Sequence, residues 1–296
     1  MQIQASAVAS FLGYPLEGRD MPLDGPSAIS DPAPNTVMFV HRFREDRVDQ
    51  LNAMPPLFIV AAEEYRGRLG HPHVLSPNPR LDFARLLVHF FEPPVPASIA
   101  PTAQIAATAI IGKGVSIGHF SVIGEGVSIG DGTAIAHHVV IGEHCVIGKD
   151  CSIRSNTVIG EKGFGFERDE EGTPIRIPHV GNVVVGDDVE IGACTTIVRA
   201  TIGSTILCDH VKIDDQTIIA HNAYIGEKTM VTAALVGGSV RMGKRVWIGS
   251  GAIIRNGAVI EDDALVGMGA VVVKSVEKGT TVVGNPAKPL VKKTPG

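Results

Sequence analysis

From Ile105 onward the chain repeats every six residues. Ten consecutive hexads open on Ile, at 105, 111, 117, 123, 129, 135, 141, 147, 153 and 159. The second position is Gly in seven of them and Ala in two. The fifth is mostly small: Ala109, Val115, Val127, Thr133, Val139, Cys145, Cys151 and Thr157. A period of six fits neither the helical repeat nor strand alternation. It fits a chain that turns a corner every six residues. The aliphatic residue points inward on each short strand, and Gly or a small residue permits the corner. Three such faces make one triangular coil of about 18 residues. Composition agrees: aromatics are 5%, with Trp 1 and Tyr 3, so Ile, Val and Ala must fill the core.

The repeat breaks at 160–182 (GEKGFGFERDEEGTPIRIPHVGN), a charged, Gly- and Pro-bearing stretch that should leave the coil as an external loop. Regularity returns at Val185, Ile191 and Ile197, slips, and continues at Leu207, Ile213, Ile219, Ile225 and Val231. Val236 follows Val231 by five, which predicts one distorted coil, and the register then runs from Met242 to Val272. The coils therefore occupy 98–275. Residues 1–97 lack hexads and read as a small α/β domain. It ends in a helix over 81–91, on a stripe of Leu81, Ala84, Leu87, Val88 and Phe91. A Pro-rich linker spans 92–101, and 276–296 reads as a basic tail. The expected class is mainly β, and it resembles the left-handed parallel β-helix of hexapeptide-repeat proteins.

Lys+Arg 26 against Asp+Glu 31 gives a net charge of −5, which argues against a nucleic-acid surface. No apolar run approaches the roughly 18 residues of a membrane helix, and no signal peptide is read at the N-terminus. The four Cys form no C-x-x-C pair. Reduced thiols in a bacterial cytoplasm are the expectation, with Cys as core filler.

A β-helix is a scaffold, so function is argued from a site. His221 follows the hexad start Ile219 by two, which places it at a corner, where it can serve as general base toward an amine or hydroxyl. Asp214 lies seven residues earlier, roughly one face back, and is the candidate carboxylate partner. A backbone N–H near Gly237 or Gly238 is the candidate oxyanion donor. His119, His137, His138 and His144 also fall at corners, with surface or intersubunit roles. No His pair has the five-residue spacing with which hexapeptide-repeat hydratases bind metal, so no metal site is expected. Met230, Met242 and Met268 either line an acyl groove or fill the core.

Three segments together, GEKGFGF (160–166), IGACTTI (191–197) and KIDDQTIIAHN (212–222), resemble the UDP-3-O-acylglucosamine N-acyltransferases of lipid A synthesis. The resemblance implies a homotrimer with active sites between neighbouring coils. It implies transfer of a hydroxyacyl group from an acyl carrier protein thioester to the 2-amino group of a UDP-sugar. The family's base falls on His221 and its carboxylate on Asp214, with Asn222 beside the substrate. The family's uracil-binding aromatic segment is matched by MFVHRF (38–43), which makes Phe39 and Phe43 stacking candidates; both also fit as core aromatics.

Two departures from the family pattern stand out. A second active-site His, expected after an Asn-Gly, falls on Ala258. The long helical ending is replaced by VVGNPAKPL (282–290), similar to coenzyme A-dependent sugar acetyltransferases. In those enzymes the loop follows the cofactor, so Asn285 and Lys288 become donor-site candidates; a solvated tail lysine is the other reading. No tightly bound cofactor is expected. The donor is a carrier-protein phosphopantetheine thioester or acyl-coenzyme A. The alternatives are an acetyl-coenzyme A-dependent nucleotide-sugar acetyltransferase of surface-glycan synthesis and a non-catalytic scaffold.

Overall fold

The computed structural model describes residues 3–42 and 44–290. The chain divides into two compact units, Met1–Pro94 and Val95–Gly296.

The first unit is a parallel four-stranded sheet, Gly25–Pro26, Thr36–Val40, Phe58–Ala62 and His73–Ser76, ordered as in the sequence. Three helices accompany it: α1 (Ala5–Leu12), α2 (Glu45–Asn52) and α3 (Pro79–Phe90). Successive side chains of a strand face opposite ways. Val37, Phe58, Val60 and Val74 therefore pack with Ala5, Val8 and Leu86 on one face. Met38, Val40, Ile59 and Ala61 pack with Leu51 and Tyr65 on the other. Burial on both faces explains the unbroken apolar runs of these strands.

Helix α3 forms where its periodicity predicts, but its buried stripe differs. Leu81 and Val88 are exposed, while Asp82 and Leu86 are buried and Phe83, Leu87 and Phe90 partly so. The cause is polar. The Asp82 carboxylate accepts from the Ser76 hydroxyl at 2.6 Å and the Tyr14 hydroxyl at 3.0 Å, and Arg85 closes over it. That network turns Asp82 inward, and a neutral-looking apolar stripe gives way to it.

The second unit is the left-handed parallel β-helix. Its three faces are parallel sheets of nine, eight and ten strands, the last including one antiparallel addition. Strand partners lie one coil apart, as when Val122 pairs with Gln104 and Val140. The hexad Ile residues point inward and are essentially buried from Ile117 to Ile260. The fifth position points inward too: Val127, Thr133, Cys145 and Thr157 are all 0% exposed. The buried Thr hydroxyls donate to carbonyls of the next coil, Thr133 to Gly148 at 2.8 Å and Thr157 to Gly192 at 2.6 Å. Burial pushes the thiols of Cys145 and Cys151 above their ordinary value.

The hexad Gly has a different role from the expected one. A β-carbon at Gly130 would stand 2.6 Å from the carbonyl carbon of Gly148, so Gly lets one coil's backbone lie directly on the next. The corner itself is turned two residues later by left-handed residues such as Phe120, His138, His144 and Asn222. Between them, corner Asp side chains cap the preceding coil. Asp131 accepts from Lys113 N–H at 2.7 Å, Asp187 from Lys149 at 2.7 Å and Asp215 from Ala193 at 2.6 Å.

Residues 162–181 leave the coil, starting two residues later and ending one residue earlier than the break in the repeat, and carry a hairpin, Phe166–Arg168 against Pro174–Arg176. The slip after Ile197 is a second bulge. Its Arg199, 5% exposed, donates to Gly160 O at 2.8 Å, Glu143 O at 2.7 Å and the Glu143 carboxylate at 2.9 Å. The five-residue step is a shortened corner with Ala233 at φ 38°. The helix also runs past 275. Thr281–Val283 stacks in parallel on Leu265–Val266, and Lys288–Pro289 folds back along it. Residues 276–290 are thus the last turn of the coil and its cap, because Val276 and Val282 are still inward-facing apolar positions.

Candidate functional site

Ile218–Ile219 lies in the nine-stranded sheet and Tyr224–Ile225 in the eight-stranded one, so Ala220–Asn222 is the corner between them. Fully buried Ile219 and Ala223 at 1% anchor it from inside, leaving His221 half-buried at the edge. Asn222 takes the left-handed conformation, φ 60°. Its side chain is fixed at both atoms: Oδ1 accepts from Thr201 N–H at 3.0 Å, and Nδ2 donates to Ile202 O at 2.9 Å. The same Oδ1 stands 3.3 Å from His221 Nδ1. An oxygen so oriented can only accept, so His221 Nδ1 carries the proton and Nε2 keeps its lone pair. Nε2 is then the basic atom.

One coil on, Gly238 makes room for this ring. A β-carbon there would lie 2.7 Å from both Cε1 and Nε2 of His221. Beside it stands His179, from the returning limb of the excursion, with ring centroids 5.3 Å and planes 77° apart. His179 is 2% exposed. Burial holds its imidazole below the ordinary value, and the neighbouring His221, Arg176 and Arg199 push the same way. The sequence reading passed over His179. Its signal was the Gly-x-Gly of GEKGFGF, since β-carbons at Gly163 and Gly165 would each come within 2.9 Å of the His179 ring.

The other candidates fall as follows. Asp214 is exposed and belongs to the corner between the ten- and nine-stranded sheets, whereas His221 ends the nine-stranded strand on the opposite side. The two flank one face of the prism and make no contact with each other within the chain. Asp214 lines a pocket of about 310 Å³ with Arg154, Glu190, Lys212 and Met230.

Neither proposed oxyanion amide is free. Gly237 N–H donates to Ile254 O at 2.9 Å and Gly238 N–H to Asn256 Oδ1 at 2.9 Å. The regular ladder and the corner ladder have already taken them. Ala258 is 2% exposed and inward. By hexad register it is a core position, and the corner residue beside Gly238 is Asn256. Of the methionines, Met242 is core at 1% exposure, Met268 is exposed at a corner, and Met230 faces outward beside Asp214. Lys288 and Asn285 are exposed in the C-terminal hairpin.

In the first unit, Phe39 is half-buried and packs on Phe83 with ring centroids 4.9 Å apart. Both line a cleft of about 670 Å³ with His41, Arg42 and Arg47. It lies past the carboxyl ends of Gly25–Pro26 and Thr36–Val40, the end of a parallel sheet where ligands bind. Phe43 lies outside the described residues.

Comparison with known proteins agrees with the repeating coil. The family described as bacterial transferase hexapeptide (six repeats) matches residues 108–142, 126–161 and 239–274. A UDP-3-O-acylglucosamine N-acyltransferase from Chlorobium chlorochromatii is 50% identical over 91 residues, 30% of this chain and 25% of the relative. One from Coxiella burnetii is 51% identical over 79 residues, 27% of this chain and 23% of the relative. The matches thus span about a quarter of those relatives' length. Among solved structures, the Francisella novicida UDP-N-acetylglucosamine acyltransferase is 27% identical with a TM-score of 0.60, covering 65% of this chain and 70% of that one. Among the described residues no helix is long and apolar enough to cross a membrane. Over residues 108–161 and 239–274 the chain carries repeats of the kind described as bacterial transferase hexapeptide, and over part of its length it resembles the UDP-3-O-acylglucosamine N-acyltransferases.

Proposed function

We propose that this protein is an acyltransferase that moves an acyl group from a thioester to the amino group of a nucleotide-linked amino sugar, as the name of its relatives implies. The observation that carries the reading is His221, with Nδ1 turned to Asn222 and Nε2 seated over Gly238. Nε2 takes a proton from the sugar amine as the nitrogen attacks the thioester carbonyl. Collapse of the tetrahedral adduct breaks the carbon–sulfur bond, and the proton passes to the thiolate. No covalent intermediate on the enzyme is required.

The carboxylate partner is supplied between copies. Asp214 and His221 flank one face, and cyclic symmetry brings one corner of a protomer to the other corner of its neighbour. That face carries an apolar outward row of Val122, Ile218, Leu235 and Ile253, each 38–45% exposed, which suits burial in a homotrimer. The nucleotide occupies the cleft of the first unit. Its base stacks at Phe39, and its phosphates meet Arg42 and Arg47, which present the charge such a group needs.

The test is a donor comparison. A panel of UDP-amino sugars is incubated with hydroxyacyl carrier protein or with acetyl-coenzyme A, and products are read by mass. Acylation from the carrier protein alone places the chain in lipid A synthesis. Acetylation from coenzyme A alone makes the 281–290 hairpin the donor element and points to surface-glycan sugars. No product from either donor, with His221 intact, overturns the reading. His221→Ala is expected to lose on the order of 10²–10⁴ in rate.

A further inference from the structure

Three glycines clear space for two imidazoles. Gly163 and Gly165 admit His179, and Gly238 admits His221. The His179 Nδ1 stands 3.1 Å from Ile177 O, and a carbonyl pairs only with a donor, so Nδ1 carries the proton. Nε2 is left with a lone pair, buried and without a hydrogen-bond partner among the described residues. Leaving an acceptor in that state is costly, and an apolar side chain would not carry that cost. The retained nitrogen therefore needs a use, and the ring beside it is His221.

We propose that His179 is a positioning residue for His221, whose neutral ring and Nε2 lone pair favour the imidazolium that His221 becomes on taking the amine proton. This rests on the reading of His221 as base. The other charges acting on His179 are cationic, Arg176 on the hairpin and Arg199 in the bulge. Arg199 is partly offset by its pairing with Glu143. A second positive charge beside His221 would oppose proton transfer, whereas a neutral acceptor assists it.

The decisive variant is His179→Phe, which keeps an aromatic ring and removes the lone pair. The expected result is a fall in kcat on the order of 10-fold, the equivalent of one pKa unit at the base. KM for both substrates should be unchanged, and thermal unfolding should be no lower than in wild type. His179→Gln, which restores an acceptor, should recover part of the loss. The second readout does not depend on turnover: with labelled histidine, the NMR titration midpoint of His221 should fall in His179→Phe. Wild-type kcat in His179→Phe together with an unmoved His221 midpoint overturns the proposal, and so does a rise in KM at constant kcat. Full turnover by His221→Ala would instead overturn the base assignment, and the midpoint comparison would still report on His179.

Discussion

The imidazole of His221 rests on the bare backbone of Gly238, so close that a β-carbon there would meet Nε2 at 2.7 Å. The two residues lie on successive coils at the same edge, where Ser239 N–H donates to His221 O at 2.8 Å. The ring is therefore held by the stacking of the coils themselves.

Gly238→Ala tests that seat. Its φ is not left-handed, and the atoms nearest the new methyl are those of the His221 ring. Turnover should fall on the order of 10²-fold, the usual consequence of misplacing a catalytic group by about 1 Å. The unfolding temperature should change little. Steady-state kinetics beside a thermal melt decides it, and unchanged kcat would remove Gly238 from the site.

Because Asp214 and His221 flank one face of a protomer, the proposed site uses one from each of two copies. Asp214→Ala and His221→Ala should each be nearly inactive alone. Denatured and refolded together, they should regain part of the wild-type activity, since the proposed trimer, when mixed, contains interfaces with both native residues. Absence of recovery in mixtures shown by mass to contain hybrids would mean that the pair does not act across an interface.

Arg199 ties both excursions to the coil through Gly160 O and Glu143. Arg199→Met should destabilise by about 1–3 kcal/mol, since buried carbonyls lose their donor. The Glu143 carboxyl, now held low by its hydrogen bond to Arg199, should return toward its ordinary value. Chemical denaturation and the rate of proteolytic cutting within 160–182 are the measurements, and faster cutting in the variant is the expected sign.

His179 also predicts a pH dependence. Burial lowers its folded value below the ordinary 6.5, so the unfolded chain takes up a proton first as pH falls. Stability is therefore highest above about pH 6.5 and declines below it, until the folded His179 itself titrates. Denaturation between pH 5 and 8 should show this decline in wild type and a shallower one in His179→Phe. Parallel curves would mean that the ring does not contribute.

The Phe39–Phe83 cleft should respond to UDP. Saturating UDP should raise the melting temperature, as binding to the folded state requires. Phe39→Ala should weaken UDP binding roughly 3–10-fold, the range expected for one aromatic stacking contact. A melting temperature indifferent to UDP would remove the cleft from the proposal.

The coil was legible because its rule is local. An Ile that must face inward every six residues records each strand, and breaks in the spacing marked both excursions and the short step at Ala233. The His221 corner followed from the same count. Helix α3 was found, but its orientation was not, because Asp82 is held by Ser76 and Tyr14, and Tyr14 lies on a distant part of the chain. Ala258 was matched to a family motif by its Asn-Gly, whereas the hexad register makes it an inward residue.

The period, the inward residues and the placing of His221 at an edge are written in the chain, since each depends on spacing along a single strand and corner. What surrounds that edge was settled by the packing of coil on coil. The left-handed turn at Asn222 and its amide contacts set the tautomer of His221. The stacking of the next coil spent the Gly237 and Gly238 amides on Ile254 and Asn256. The fold of the excursion brought His179 from 42 residues away to the ring of His221. Those relations join residues from different coils and loops, and the hexad period carries no record of them.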